Sequence, residues 1–214
     1  MPDLVDEVDE EIRQERAQRI AKRFGGLFAA VAVFILAGVG GWQAWRWNEA
    51  SQAGAAAEAY LAATRDASAE GADTRAIAAR MAALGDGAAP GYRTLTRLRA
   101  AALSAEAGER EAALEMWNRI ANDSGADQLY RDLATLMWGL HALAGDAAQV
   151  QARLAPLAAN GPWRASAREI LALAAVSAGN QAEARRLLTE LARDDLAPQG
   201  VRDRAQRLLS GIDG

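Results

Sequence analysis

A single histidine, His141, sits in the stretch WGLHALAG, and no cysteine occurs anywhere in the 214 residues. General acid–base work needs a titratable group near the reacting atom, and covalent catalysis needs a nucleophile beside a base. Neighbouring carboxylates such as Asp194 and Asp195 fall at predicted helix ends or loops, where solvation accounts for them. No GxSxG elbow, phosphate loop, HExxH helix or calcium loop is present. The glycines of GVGG at 38–41 lie inside an apolar run and cannot cradle a phosphate. Without thiolates, a zinc, haem or copper site would need carboxylates almost alone, so none is expected. The chain reads as non-enzymatic, with no cofactor, metal or small-molecule substrate. His141 reads as a structural residue at a helix interface, and Trp117, Trp138 and Trp163, at helical spacing, read as core.

The elements that hold these residues are helical. Alanine and arginine dominate, Lys22 is the only lysine, and β-branched residues thin out after position 40. That balance favours helix over strand. A chain this long carries one ordinary domain with an appendage. The formal net charge is -4. Six Lys or Arg and seven Asp or Glu fall within residues 1–47, so the remainder is mildly acidic and mixed in sign. A nucleic-acid surface needs clustered cations, and nucleic acid is not expected as a partner.

The appendage is legible in RIAKRFGGLFAAVAVFILAGVGGWQAWRWNEA. From Phe24 to Trp45 no side chain is charged and Gln43 is the only polar one. At 1.5 Å per residue this run spans a hydrocarbon core of roughly 30 Å. A soluble core helix would show a polar face at period 3.6, and this run has none. A secretory signal has a short leader and an apolar stretch of roughly 7–15 residues before small residues at the cleavage site. Here the leader is long, the run is too long, and tryptophans stand where cleavage would occur, although ASQAGAAA follows just beyond. The expectation is an uncleaved membrane anchor in contact with the lipid bilayer. Arg13, Arg16, Arg19, Lys22 and Arg23 precede the run, whereas only Arg46 follows closely. The excess of cations ahead of the run predicts a cytoplasmic amino terminus and a carboxy-terminal bulk on the far side, the periplasm in a bacterium. Lys22 and Arg23 mark the inner interface; Trp42, Trp45 and Trp47 mark the outer one.

Beyond Asn48 the chain repeats itself. AEAGEREAALEMWNRIA, ALAGDAAQVQARLAPLA and VSAGNQAEARRLLTELA each place a small-Gly-polar turn before an amphipathic helix. The marker glycines Gly108, Gly145 and Gly179 are 37 and 34 residues apart, a period that points to tetratricopeptide-like helix pairs. Each glycine is expected to take the left-handed conformation of a helix end. Ala101, Ala113, Ala172 and Ala184 would let paired helices approach, with Trp117, Ile120, Leu154, Leu157, Leu188 and Leu191 filling the space between them. Helices are predicted near 48–68, 72–84, 92–107, 109–122, 127–144, 146–159, 163–178, 180–193 and 199–210. The stretch GDGAAPG at 85–91 reads as the clearest loop, and VRDRAQRLL as the polar cap of a solenoid. The fold class expected is all-α: a single N-terminal transmembrane helix followed by a tetratricopeptide-like α-solenoid of antiparallel helix pairs. Its parts are a charged helical leader at 1–23, the span at 24–45, a juxtamembrane stretch and first helix pair at 46–90, and three repeat pairs with a capping helix at 91–214.

The VDEEIRQER leader, the basic step, an apolar span ending in GGWQAW, and helix pairs running to VRDRAQRLL together resemble the bacterial YfgM-like family of ancillary SecYEG translocon subunits. That resemblance implies an inner-membrane protein whose periplasmic repeats associate with the SecYEG translocon and a membrane-anchored peptidyl-prolyl isomerase-type chaperone, assisting folding or release of secreted chains. The usual aromatic near the end of the first helix is replaced by Ser104, His141 and Ala175, and the closing proline survives only at Pro162. The same fold also suits a scaffold of another envelope complex, for cell division, cytochrome maturation or outer-membrane assembly. Counting back from the marker glycines directs Leu95, Leu98, Ala102, Thr135, Gly139, Glu169 and Leu173 toward a protein-binding groove. These include no cluster of lysine and asparagine to clamp a terminal carboxylate, so apolar or shape-based recognition is expected.

Overall fold

The computed structural model describes residues 3–88 and 90–213, with side chains described from Gly26 onward apart from Phe28, Pro90 and Asp213. Among the described residues all regular structure is helical: α1 Asp3–Ala67, α2 Thr74–Gly87, α3 Pro90–Glu106, α4 Arg110–Ala121, α5 Gln128–Ala142, α6 Ala147–Ala159, α7 Arg164–Ser177, α8 Gln181–Ala192 and α9 Gln199–Asp213. The chain divides into two units, Met1–Gln52 and Ala53–Gly214. The leader, the apolar run and the helix expected from residue 48 are all parts of the single helix α1. Between them the composition changes, but no proline occurs in this helix after Asp3, so no backbone N–H is lost, and the helix continues through Gly40-Gly41.

In the first unit every side chain described lies on the surface. Phe34 is 80% exposed, Trp45 62% and Trp47 75%. One helix, read from Ala29 onward, is long and apolar enough to cross a membrane, with none of its apolar window buried. Arg46 stacks its guanidinium 5.0 Å from the ring centroid of Trp42, one turn earlier. The side chains of Lys22 and Arg23 lie outside the described residues.

The second unit is built on alanine. Ala101, Ala113, Ala172 and Ala184 are completely buried at the crossings between helices, and Trp117, Leu154, Leu188 and Leu191 fill the space beside them. Each fully buried leucine contributes about 1.5–3 kcal/mol of transfer free energy. One core runs from α3 to α7, a second joins α7, α8 and α9, and a third sets Ala63 of α1 against Ile77 and Met81 of α2 and Leu103 of α3. Asp66 and Arg80 pair across the same junction. Side-chain caps start several helices: Asp73 accepts from Ala76 N at 3.0 Å, Asp127 from Leu129 N at 2.8 Å, Asp146 from Ala148 N at 2.9 Å and Asn180 from Glu183 N at 3.1 Å. A cap of this kind contributes about 1 kcal/mol.

GDGAAPG is mostly not a loop. α2 continues through Gly87 and α3 begins at Pro90. Gly85 is a close-approach residue: a Cβ there would lie 2.9 Å from Thr96 Oγ1 and 3.0 Å from Arg97 Cγ. The missing side chain seats α2 directly on α3, so the stretch joins these helices rather than dividing them.

The marker glycines are not alike in conformation. Gly108 and Gly179 have φ of +81° and +74°, but Gly145 is not left-handed. The first helix of each pair opens on a ring or branched residue followed by arginine: Tyr92-Arg93, Tyr130-Arg131, Trp163-Arg164, and Val201-Arg202 in α9. Three residues after each arginine stands a buried small residue, Thr96, Ala134, Ala167 and Ala205. These arginines lie fifteen residues before Gly108 and Gly179 but fourteen before Gly145. Counting back from Gly145 therefore places α5 one residue out of register.

Two of the three pairs share an electrostatic clamp. Arg97 reaches Asp123 after α4 at 3.5 Å, and Arg168 reaches Asp194 after α8 at 3.7 Å, joined there by Arg164 at 2.7 Å. In the middle pair the equivalent of Arg97 and Arg168 is Thr135, and Asn160 stands after α6 instead of an aspartate.

The turn geometry is checked by alanine substitution. Gly108→Ala and Gly179→Ala should each cost about 1–2 kcal/mol in urea unfolding, because an L side chain is strained in the left-handed region. Gly145→Ala should cost clearly less than either.

Candidate binding groove

The first helices of successive pairs lie side by side, α3 with α5, α5 with α7 and α7 with α9, whereas the second helices α4 and α6 meet through side chains, Arg153 Nη2 donating to Asn118 Oδ1 at 2.6 Å. One face of the repeat unit is thus lined by α3, α5, α7 and α9. Between α5, α7 and α9 it opens into a cleft of ≈ 330 Å³, lined by Leu136, Met137 and Leu140, by Ser166, Glu169, Ile170 and Leu173, and by Arg204.

The seven residues assigned to the groove from sequence divide in three ways. Glu169 and Leu173 line the cleft together. Leu95, Ala102 and Thr135 are half-buried along α3 and α5, with the Thr135 hydroxyl donating to Arg131 O at 3.0 Å. Leu98 packs on the main core instead. Gly139 is buried, and a Cβ there would come 2.6 Å from Leu154 Cδ1, so it admits α6 rather than a ligand. In the corrected register the α5 counterparts of Leu95, Leu98 and Ala102 are Leu133, Leu136 and Leu140, and the last two line the cleft. The recurring Tyr-Arg and Trp-Arg helix starts were the signal for this register, and it was readable in the sequence.

Arg204 was invisible from sequence. It lies on α9, 35 residues from Glu169 on α7, and donates Nε to Oε1 at 2.6 Å and Nη2 to Oε2 at 2.7 Å. This forked geometry is the strong form of an arginine–carboxylate contact. The Glu169 side chain is only 12% exposed, whereas that of Arg204 is 49% exposed. Each oxygen of the carboxylate therefore has a charged donor, while the guanidinium still faces solvent.

The tryptophans lie near the seams. Trp117 is 1% exposed, Trp138 carries the Arg153 guanidinium 4.3 Å from its ring centroid, and Trp163 donates Nε1 to Leu129 O at 3.1 Å. His141 lies 4.5 Å from the Trp117 ring, its backbone carbonyl accepting from Arg110 Nε at 2.7 Å. Burial first, and the nearby Arg110 charge second, lower the His141 pKa below the ordinary histidine value. Among the described residues no three His, Asp or Glu side chains gather as a metal-ligand set.

Stacked antiparallel pairs with an open face of first helices define a helical-repeat interaction domain. The chain belongs to the tetratricopeptide repeat-like domain family, whose sequence model matches residues 19–206. The matched stretch takes in the apolar run as well as the repeats. No curated protein and no solved structure matches the chain.

The lowered pKa carries a sign for stability. Between the folded and unfolded values of His141 the unfolded chain binds the extra proton, so stability falls as pH drops through 6.5 and levels off below the folded value. Urea midpoints measured from pH 7.5 to 4.5 should show this loss, and His141→Gln should flatten that component of the profile.

Proposed function

We propose that the chain is a non-enzymatic, membrane-tethered scaffold whose repeat groove holds a partner polypeptide. The observation that carries this reading is the cleft between α5, α7 and α9, floored by buried Leu136 and Ile170 and open to solvent beside Leu140 and Arg204. Family membership supports protein–protein interaction as the general role. The carboxylate nearest Ser166 in the cleft, Glu169, is held as an ion pair by Arg204 rather than poised as a base.

The finer reading places the anchor in a bacterial inner membrane. The amino terminus is cytoplasmic by the cation bias of its flanks, Trp42, Trp45 and Trp47 lie at the outer interface, and the repeats are periplasmic. In that position the scaffold serves the SecYEG translocon, linking it to a membrane-anchored peptidyl-prolyl isomerase-type chaperone so that secreted chains fold or leave without aggregating. The support for this assignment is the resemblance of the leader, span and repeats to the translocon's ancillary subunits.

Two measurements test the reading in parts. Protease added to intact spheroplasts should degrade the residues beyond Gln52, and their survival would refute the periplasmic placement. A photo-crosslinking amino acid at Leu140 or Leu173 should give adducts with translocon or chaperone subunits in native membranes. Adducts confined to a different envelope complex would instead make the chain a scaffold of that complex.

A further inference from the structure

The groove changes chemistry along its length. Two, five and nine residues after the leading arginine, α5 carries Leu133, Leu136 and Leu140, and α7 carries Ser166, Glu169 and Leu173. The same positions of α9 carry Arg204, Arg207 and Gly211. The surface thus passes from apolar to cationic across three helices.

The charges do not cancel. Both oxygens of Glu169 accept from Arg204, one from Nε and one from Nη2, which leaves Nη1 of Arg204 without a partner among the described residues. Arg207 is exposed, and no described residue pairs with its guanidinium. On the interior helices the position five residues after the arginine faces the next first helix, as Leu136 faces the cleft shared with Ser166, and Glu169 meets Arg204. On α9 no further helix follows, so Arg207 stands at the open edge. An incoming cation would meet Arg207 as a like charge and find Glu169 occupied. An incoming carboxylate finds the free Nη1 of Arg204 at the cleft and the exposed Arg207 one turn further along α9.

We propose that the cleft takes a polypeptide segment that sets a large apolar side chain between Leu140 and Leu173 and an adjacent acidic side chain against Arg204 and Arg207. This rests on the scaffold reading above and adds the chemistry of its partner. Leu140 is 40% exposed and supplies an apolar wall, and the cleft volume of ≈ 330 Å³ is in the range that seats a ligand group. The acidic group is an internal side chain, held by guanidinium donors that both face solvent.

The test uses the full-length protein in phosphatidylcholine nanodiscs and fluorescein-labelled, amide-capped peptides read by anisotropy. One peptide carries Leu-Phe-Asp-Glu between Gly-Ser flanks. In the others Asp-Glu becomes Asn-Gln or Lys-Lys, or Leu-Phe becomes Ser-Ser. The acidic apolar peptide should bind about tenfold more tightly than its amide version, as a charge-assisted contact implies. Arg207→Gln, at an exposed position, should erase that difference without moving the thermal midpoint, and Leu140→Asp should abolish binding of both. Equal binding of the acidic and amide peptides, or tighter binding of the lysine version, would overturn the acidic preference and leave the scaffold reading intact. If no apolar peptide binds, the cleft is not the docking site, whereas crosslinks to an envelope partner in membranes would still uphold the scaffold.

Discussion

Close approach of helices through alanine is the constraint on which the repeat unit depends. An alanine at a crossing lets two axes come to the short end of the usual spacing of about 8–10 Å. The larger side chains are then confined to the gaps beside the crossing. Trp117, Leu154, Leu188 and Leu191 are almost wholly buried because Ala113, Ala158, Ala172 and Ala184 leave them that room. The groove follows from the same spacing. With the paired helices close, the first helices of successive pairs come into contact and present one face to solvent, where Leu140, Leu173 and Arg204 line a cleft rather than a core.

Much of this was legible in the sequence. Helices α4 to α8 begin and end within a residue or two of the positions predicted from periodicity, turn glycines and caps, since those signals act locally, and α9 runs three residues further than predicted. The elements that escaped did so for identifiable reasons. Gly85 looks like loop punctuation until Thr96 and Arg97 are seen to occupy the space where its side chain would be. Gly145 resembles its counterparts in sequence but ends its helix differently, so an alignment anchored on it moved Thr135 and Gly139 into a groove that belongs to Leu136 and Leu140. The arginines that open each first helix were the better ruler, because the buried small residue three positions later ties them to the packing.

The Glu169–Arg204 contact belongs to another category. It joins residues far apart in the chain, and its existence depends on the rotation between successive helix pairs, which no local pattern encodes. A carboxylate this buried would be costly without its partner. The contact therefore ties the capping helix to the last repeat and also sets which charges remain available in the cleft.

The middle pair differs from its neighbours in several ways at once. It lacks the arginine–aspartate clamp, its turn is not closed by a left-handed glycine, Pro156 interrupts the hydrogen bonding of its second helix, and α5 and α6 share a smaller contact than the other helix pairs. In a solenoid, stability is close to a sum over units and the interfaces between them. The middle pair is the most loosely packed of the three, and α5, which supplies the apolar wall of the cleft, belongs to it. Loss of packing in that pair would therefore reach the wall of the cleft before it reached the clamped pairs on either side.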